Sequence, residues 1–230
     1  LTSRFNLSNL TKFFINLYNP MQLANKIYNQ LKSPLRWRLA KRYFTYNFNA
    51  KNCDFIYYPL HYQPEASTLV WAPYFENQIA VIENISKSIP VEFKLVIKEH
   101  VVGLGSRCLD FYHKIIRLKN TILLGPYYNN FELIRNSRLV ITITGTVGWE
   151  ALLFKKPVIV LGNYWMDKSP NVRKVTDLTK LSEIINELLN QESIDEDNWY
   201  KFIYSEILGT YEGVFNSPDS LPQVLAKDNI

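Results

Sequence analysis

Residues 139–162 read LVITITGTVGWEALLFKKPVIVLG, and this stretch decides the fold class. Leu139–Thr144 is an unbroken β-rich run, and Pro157–Leu161 (PVIVL) is a second. Between them Gly148–Phe154 has the composition of a helix, opened by Thr144-Gly145-Thr146. A strand, a helix and a strand within 24 residues form a βαβ unit, whose strands lie parallel. Strands that are apolar throughout, rather than alternating, are those buried on both faces.

The same rhythm extends upstream. Strands are expected at Asp54–Tyr58, Phe93–Lys98 and Thr121–Leu124. Helices are expected at Tyr74–Ile89, Ser106–Leu118 and Asn130–Asn136. In the first of these Phe75, Ile79, Ile82, Ile85 and Ile89 recur at helical spacing. Downstream, Thr179–Asn190 and Asp195–Ile207 read as helices and the tail after Gly209 as irregular. Right-handed crossovers then give an α/β fold, a doubly wound, Rossmann-like parallel sheet. The expected organisation is a helical basic arm over residues 1–50, a Rossmann-like nucleotide-sugar-binding domain over 51–210 and an irregular tail over 211–230.

Composition narrows the classes further. The chain has 230 residues, 47% hydrophobic and 20% charged, which excludes a wholly disordered or collagen-like protein. No apolar run approaches the roughly 18 residues that span a bilayer. Cys53 and Cys108 share no metal-ligand spacing and are expected to be reduced, as in a cytoplasmic protein. Leu1 is not an initiator Met, and the chain is read as a fragment or processed product. The formal charge of +5 is uneven, because residues 1–50 hold eight Lys or Arg and no acid. Such an arm suits an anionic membrane surface, an acidic partner domain or nucleic acid, or it is a solvated helical linker. Helices are expected at residues 7–31 and Leu35–Tyr46.

In an open parallel sheet, ligands bind beyond the carboxyl ends of the strands. After the first strand, Gln63 and Glu65 are polar groups in a loop; Glu65 is an acid/base or sugar-hydroxyl candidate unless the loop is only a proline turn. After the second strand come Lys98-Glu99-His100 and two glycines, so Lys98, His100 and Arg107 suit a phosphate or carboxylate, or else form a solvated surface loop. In the third, Gly145 and Gly148 permit close backbone approach, and Thr144 and Thr146 offer hydroxyls at a helix start. Glu150 either complements the helix dipole or accepts the hydroxyls of a ribose. After the last strand, Tyr164 and Trp165 wall a base or sugar, or belong to the core. The sequence carries no Walker loop, HExxH, CxxC or Ser-His-Asp order, and no metal site is expected.

Four stretches together resemble the capsule polysaccharide biosynthesis family, which includes bacterial Kdo (3-deoxy-manno-octulosonate) transferases. They are Tyr58–Thr68 (YPLHYQPEAST), Leu95–Arg107 (LVIKEHVVGLGSR), Phe131–Ser137 (FELIRNS) and Val140–Gly162 (VITITGTVGWEALLFKKPVIVLG). The resemblance implies a GT-B glycosyltransferase, two Rossmann-like domains with the nucleotide sugar between them, of which this chain supplies the carboxyl-terminal, donor-binding part. It implies a CMP-activated donor such as CMP-Kdo, a glycan or glycolipid acceptor, no further cofactor, and work in the cytoplasm, peripherally at the inner membrane. His100 occupies the position of the family's His-Pro histidine, here followed by Val101, and Thr144 and Thr146 resemble its hydroxyl pair around the CMP phosphate. The other readings are a non-catalytic capsule assembly or export component and a GT-B enzyme with a UDP-sugar.

Overall fold

The computed structural model describes residues 34–191 and 195–209. The helix expected at 7–31 and the tail after residue 209 lie outside them. Among the described residues six strands form one all-parallel sheet: β1 Phe55–Pro59, β2 Lys94–Lys98, β3 Thr121–Leu124, β4 Leu139–Thr142, β5 Val158–Val160 and β6 Val172–Lys174. Their order is β3-β2-β1-β4-β5-β6. Strand order reverses between β1 and β4, which pair through Ile56 with Leu139 and Tyr57 with Val140. The sequence reading missed β6, a three-residue edge strand of which only Val172 is buried.

Among the described residues the helices that cover the sheet are α1 Gln78–Ser88, α2 Leu109–Ile116, α3 Asn130–Asn136, α4 Thr146–Leu153, α5 Leu181–Asn190 and α6 Glu196–Leu208. Alternation along β1 shows why both sheet faces must be covered. Ile56 and Tyr58 point into a core shared with Ile82 and Ile85 of α1, Ile115 of α2 and Ile185 of α5. Phe55 and Tyr57 point the other way, into a core with Leu133 of α3 and Ala151 and Leu152 of α4. The indole N–H of Trp199 donates to the Leu152 carbonyl at 2.7 Å and holds α6 on this second face.

The end of the basic arm is part of the body. Residues 34–40 are helical, a 3₁₀ turn follows at Lys41–Tyr43, and Thr45 bridges to Leu124. Ala40 and Phe44 are buried in one core and Ala50 in the other. The helix read at Leu35–Tyr46 thus gives way to extended chain where Phe44 turns inward. Helix α4 begins at Thr146, two residues before the expected start, so Thr146 is its first residue and Gly145 its N-cap. No described helix is long and apolar enough to cross a membrane.

Candidate functional site

The carboxyl ends of β1, β2 and β4 and the start of α3 surround a cleft of about 370 Å³. Its walls include His61, Glu65 and Trp71 after β1, Lys98 and His100 at the end of β2, Asn130 at the start of α3, and Thr144–Val147 after β4. This is the topological switch point, where two neighbouring connections leave in opposite directions and open a crevice.

The loop after β4 is shaped by a residue the sequence reading quoted but did not single out. His61 is buried, with its Nε2 3.3 Å from the Thr144 amide and 3.2 Å from the Thr142 hydroxyl. The Gly145 amide donates to Thr142 Oγ1 at 3.0 Å. A Cβ on Gly145 would lie 2.9 Å from Thr142 Oγ1 and 3.1 Å from His61 Nε2, so the close approach of loop and imidazole requires glycine. With those two amides engaged, the amides of Thr146 and Val147 open α4 without intrahelical acceptors, at its positive end. Burial, with His100 and Arg107 adding to the effect, pushes the His61 pKa down to about 3.

Across the cleft His100 is exposed, and its Nδ1 accepts the Val102 amide at 3.2 Å. That bond leaves the neutral ring's hydrogen on Nε2, as a donor. Lys98 donates to Asn130 Oδ1 at 2.7 Å, the same oxygen that receives the Tyr57 hydroxyl at 3.1 Å. Burial lowers the Lys98 pKa and the Glu150 carboxylate opposes the shift. Glu65, exposed at the rim, receives the Ser67 hydroxyl at 2.8 Å.

The cleft therefore gathers Glu65, Lys98, His100, Thr144, Gly145 and Thr146 of the residues expected from sequence. The others have different surroundings. Arg107 is spent inside the protein: its Nε is 3.2 Å from both oxygens of the buried Glu99 carboxylate and its Nη2 donates to the His61 carbonyl at 2.5 Å. The Tyr112 hydroxyl and the His100 amide complete that carboxylate at 2.7 and 2.6 Å. Gly103 packs on the same carboxylate, where a Cβ would meet Oε1 at 2.7 Å. Gln63 donates to the Glu76 carbonyl and accepts from Gln78, both at 2.7 Å, outside the cleft. Gly148 lets α4 settle on Met166 and Thr142 rather than on a ligand. Glu150, one turn into α4, does not line the cleft; its Oε2 is buried without a partner, and burial raises its pKa against the pull of Lys98. The Thr144 hydroxyl donates to the Ser67 carbonyl at 2.9 Å, which ties the β1 loop to the β4 loop. Tyr164 lines the cleft beside Trp71, with ring centroids 6.2 Å apart, while Trp165 turns to Trp149 at 5.0 Å. Among the described residues no three His, Cys, Asp or Glu side chains converge as a metal site.

A family described as "Capsule polysaccharide biosynthesis protein" matches residues 21–181, which include every strand and the whole cleft. The chain belongs to the capsule polysaccharide biosynthesis protein family. Within or beside that family, the chain is 36% identical over 94 residues to the capsule polysaccharide export protein KpsS of Escherichia coli, covering 38% of this chain and 23% of KpsS. Among solved structures, KpsC of Thermosulfurimonas dismutans, a beta Kdo 2,7 transferase, is 16% identical with a TM-score of 0.45, covering 78% of this chain and 63% of that one. UDP-GlcNAc 2-epimerase of Methanocaldococcus jannaschii, in complex with UDP-GlcNAc and UDP, is 18% identical with a TM-score of 0.47 over 77% of this chain and 52% of that one. This capsule-family chain thus spans about a quarter of the length of the curated relative it matches.

Proposed function

We propose that the chain is the donor-binding part of a glycosyltransferase of capsule polysaccharide biosynthesis. The observation that carries this reading is the opening of α4 at the cleft, where Thr146 and Val147, whose amides have no intrahelical acceptor, line a space also lined by Lys98 and His100. A helix start with free amides, a donor imidazole and an ammonium group together suit a phosphate. A nucleotide sugar is the phosphate ester that fits a member of this family. Its base or sugar has Trp71 and Tyr164 as apolar walls.

In the transfer, the bond between the anomeric carbon and the phosphate oxygen breaks. An acceptor hydroxyl forms the new bond to that carbon and gives up its proton. The α4 start and the Nε2–H of His100 stabilise the charge gathering on the departing phosphate. Glu65 is the carboxylate at the rim that takes part as acid/base or holds a sugar hydroxyl. A CMP-linked donor of the Kdo type is proposed, on the resemblance of His100 and the Thr144/Thr146 pair to that family's phosphate residues. The acceptor, a glycan or glycolipid, is held by parts of the enzyme beyond this cleft. Work at the cytoplasmic face of a membrane follows from the same reading, with the basic arm towards the lipid.

Calorimetry with CMP, UDP and GDP tests the donor. The reading expects binding of CMP, and loss of that binding in His100→Ala with only the small drop in thermal stability, about 1 kcal/mol, that follows from uncapping the Val102 amide. Preference for UDP would replace the donor. Binding of none of the three would remove the nucleotide-sugar reading. A second reading, a non-catalytic assembly or export component, is favoured by the name of KpsS. It expects nucleotide binding with no sugar transfer by the full-length protein.

A further inference from the structure

We infer that His61 is a positioning residue, a neutral imidazole held as the Nδ1–H tautomer, which shapes the start of α4 for a phosphate. The inference rests on the reading of the cleft as a phosphate site. The Thr144 amide can only donate, so the nitrogen it meets at 3.3 Å, Nε2, is an acceptor. The Thr142 hydroxyl, which already accepts the Gly145 amide, has its own hydrogen free to point at the same nitrogen. The ring hydrogen is then on Nδ1, which is buried and meets no hydrogen-bond partner among the described residues.

The ring's placement is over-determined from its own backbone. Gln78, itself buried, accepts the His61 amide and donates to the His61 carbonyl, both at 2.8 Å. Arg107 adds a third bond to this main chain, the second to its carbonyl, and is in turn locked by Glu99. A side chain needed only to fill space would not require its main chain to be gripped at three points. The grip is transmitted through Nε2 to the Thr144 amide and, by way of Thr142, to that of Gly145. What remains without an intrahelical acceptor is the amide pair of Thr146 and Val147 at the cleft wall. A proton on Nε2 would set a donor against the Thr144 donor and push the loop away. The ionisable groups around the ring are Arg107 with its partner Glu99, His100, and the buried Tyr58, whose ring lies 6.3 Å away.

The test combines ring ¹⁵N NMR with calorimetry on the 230-residue chain. From about pH 5 to pH 8 the wild-type His61 ring should show one neutral tautomer with bare Nε2. His61→Gln can offer a side-chain oxygen to the Thr144 amide and should keep CMP affinity within about threefold; His61→Leu, with no acceptor, should lose at least about tenfold, the worth of one hydrogen bond to a charged group. A hydrogen on Nε2 would overturn the inference, as would a folded His61→Leu that binds CMP like wild type. If His61→Leu does not fold, the tautomer and His61→Gln decide. Absence of CMP, UDP and GDP binding by the wild type would instead sink the nucleotide-sugar reading, and the tautomer would still decide the state of His61.

Discussion

The Nε2 of His61 lies 3.2 Å from the hydroxyl of Thr142, joining the end of β1 to the end of β4 where the strand order reverses. Around that contact a polar chain runs from Tyr112 through Glu99 and Arg107 to the His61 backbone, and from the His61 ring into the loop that opens α4. Residues far apart in sequence thus share one device, which separates those that build the cleft from those that face into it.

The two threonines should therefore behave differently. Thr146 is exposed at the first position of α4, so Thr146→Val should leave stability unchanged and weaken CMP binding about 10- to 100-fold, the worth of one hydrogen bond to a charged group. Thr144→Val removes the bond to the Ser67 carbonyl and should cost about 1 kcal/mol of folding stability as well. Calorimetry and urea unfolding of both variants check the division; equal loss of affinity with unchanged stability in both would contradict it.

Arg107→Ala should destabilise the protein by about 3–5 kcal/mol, because it strands the buried carboxylate of Glu99. A ligand-binding arginine would show the reverse pattern, an intact fold with lost CMP affinity. Urea denaturation monitored by tryptophan fluorescence separates the two outcomes.

His61 also makes stability depend on pH. Its ordinary pKa is 6.5 and in the fold it is about 3, so between those values the unfolded chain binds a proton that the native chain refuses. The contribution is complete above pH 6.5 and is lost as the pH falls, at up to about 1.4 kcal/mol per unit. Unfolding free energies of wild type and His61→Gln, measured from neutral pH downwards, should converge or cross; parallel curves would show that the imidazole is not held neutral.

The membrane reading of the basic arm is testable without removing it. Deleting residues 1–50 would also delete Ala40, Phe44 and Ala50 from the cores and confuse folding with binding. Arg38 and Arg42 are exposed, and changing both to Gln should weaken co-sedimentation with anionic vesicles about 30-fold, at about 1 kcal/mol for each charge. No sedimentation of the wild type at low salt would assign the arm to protein packing.

The strands that pack on both faces were legible because apolar runs such as Leu139–Thr142 and Val158–Val160 have no other stable place. Strand β6 was not, since Val172-Arg173-Lys174 at the sheet's edge needs only one buried residue. The expected start of α4 at Gly148 lies two residues inside the helix, which opens at Thr146. That glycine is helical and serves contact with Met166. Glu65, Lys98, His100 and Thr146 were expected at strand ends, and all four line the cleft there. His61 and the true role of Arg107 were hidden because their meaning comes from Gln78, Glu99 and Thr144, partners that only the folded sheet brings near.

Placing β1 in the middle of the sheet has a consequence for a chain emerging from the ribosome. When residues up to Ser137 have been made, β1, β2 and β3 can already pair, yet one long side of β1 waits for Leu139 and Val140. Until they arrive, Ile56 and Tyr57 present an apolar, unpaired edge of the kind that recruits strands from neighbouring chains. Products truncated before β4 should therefore aggregate, whereas those ending after β5 already carry their own seal for that edge.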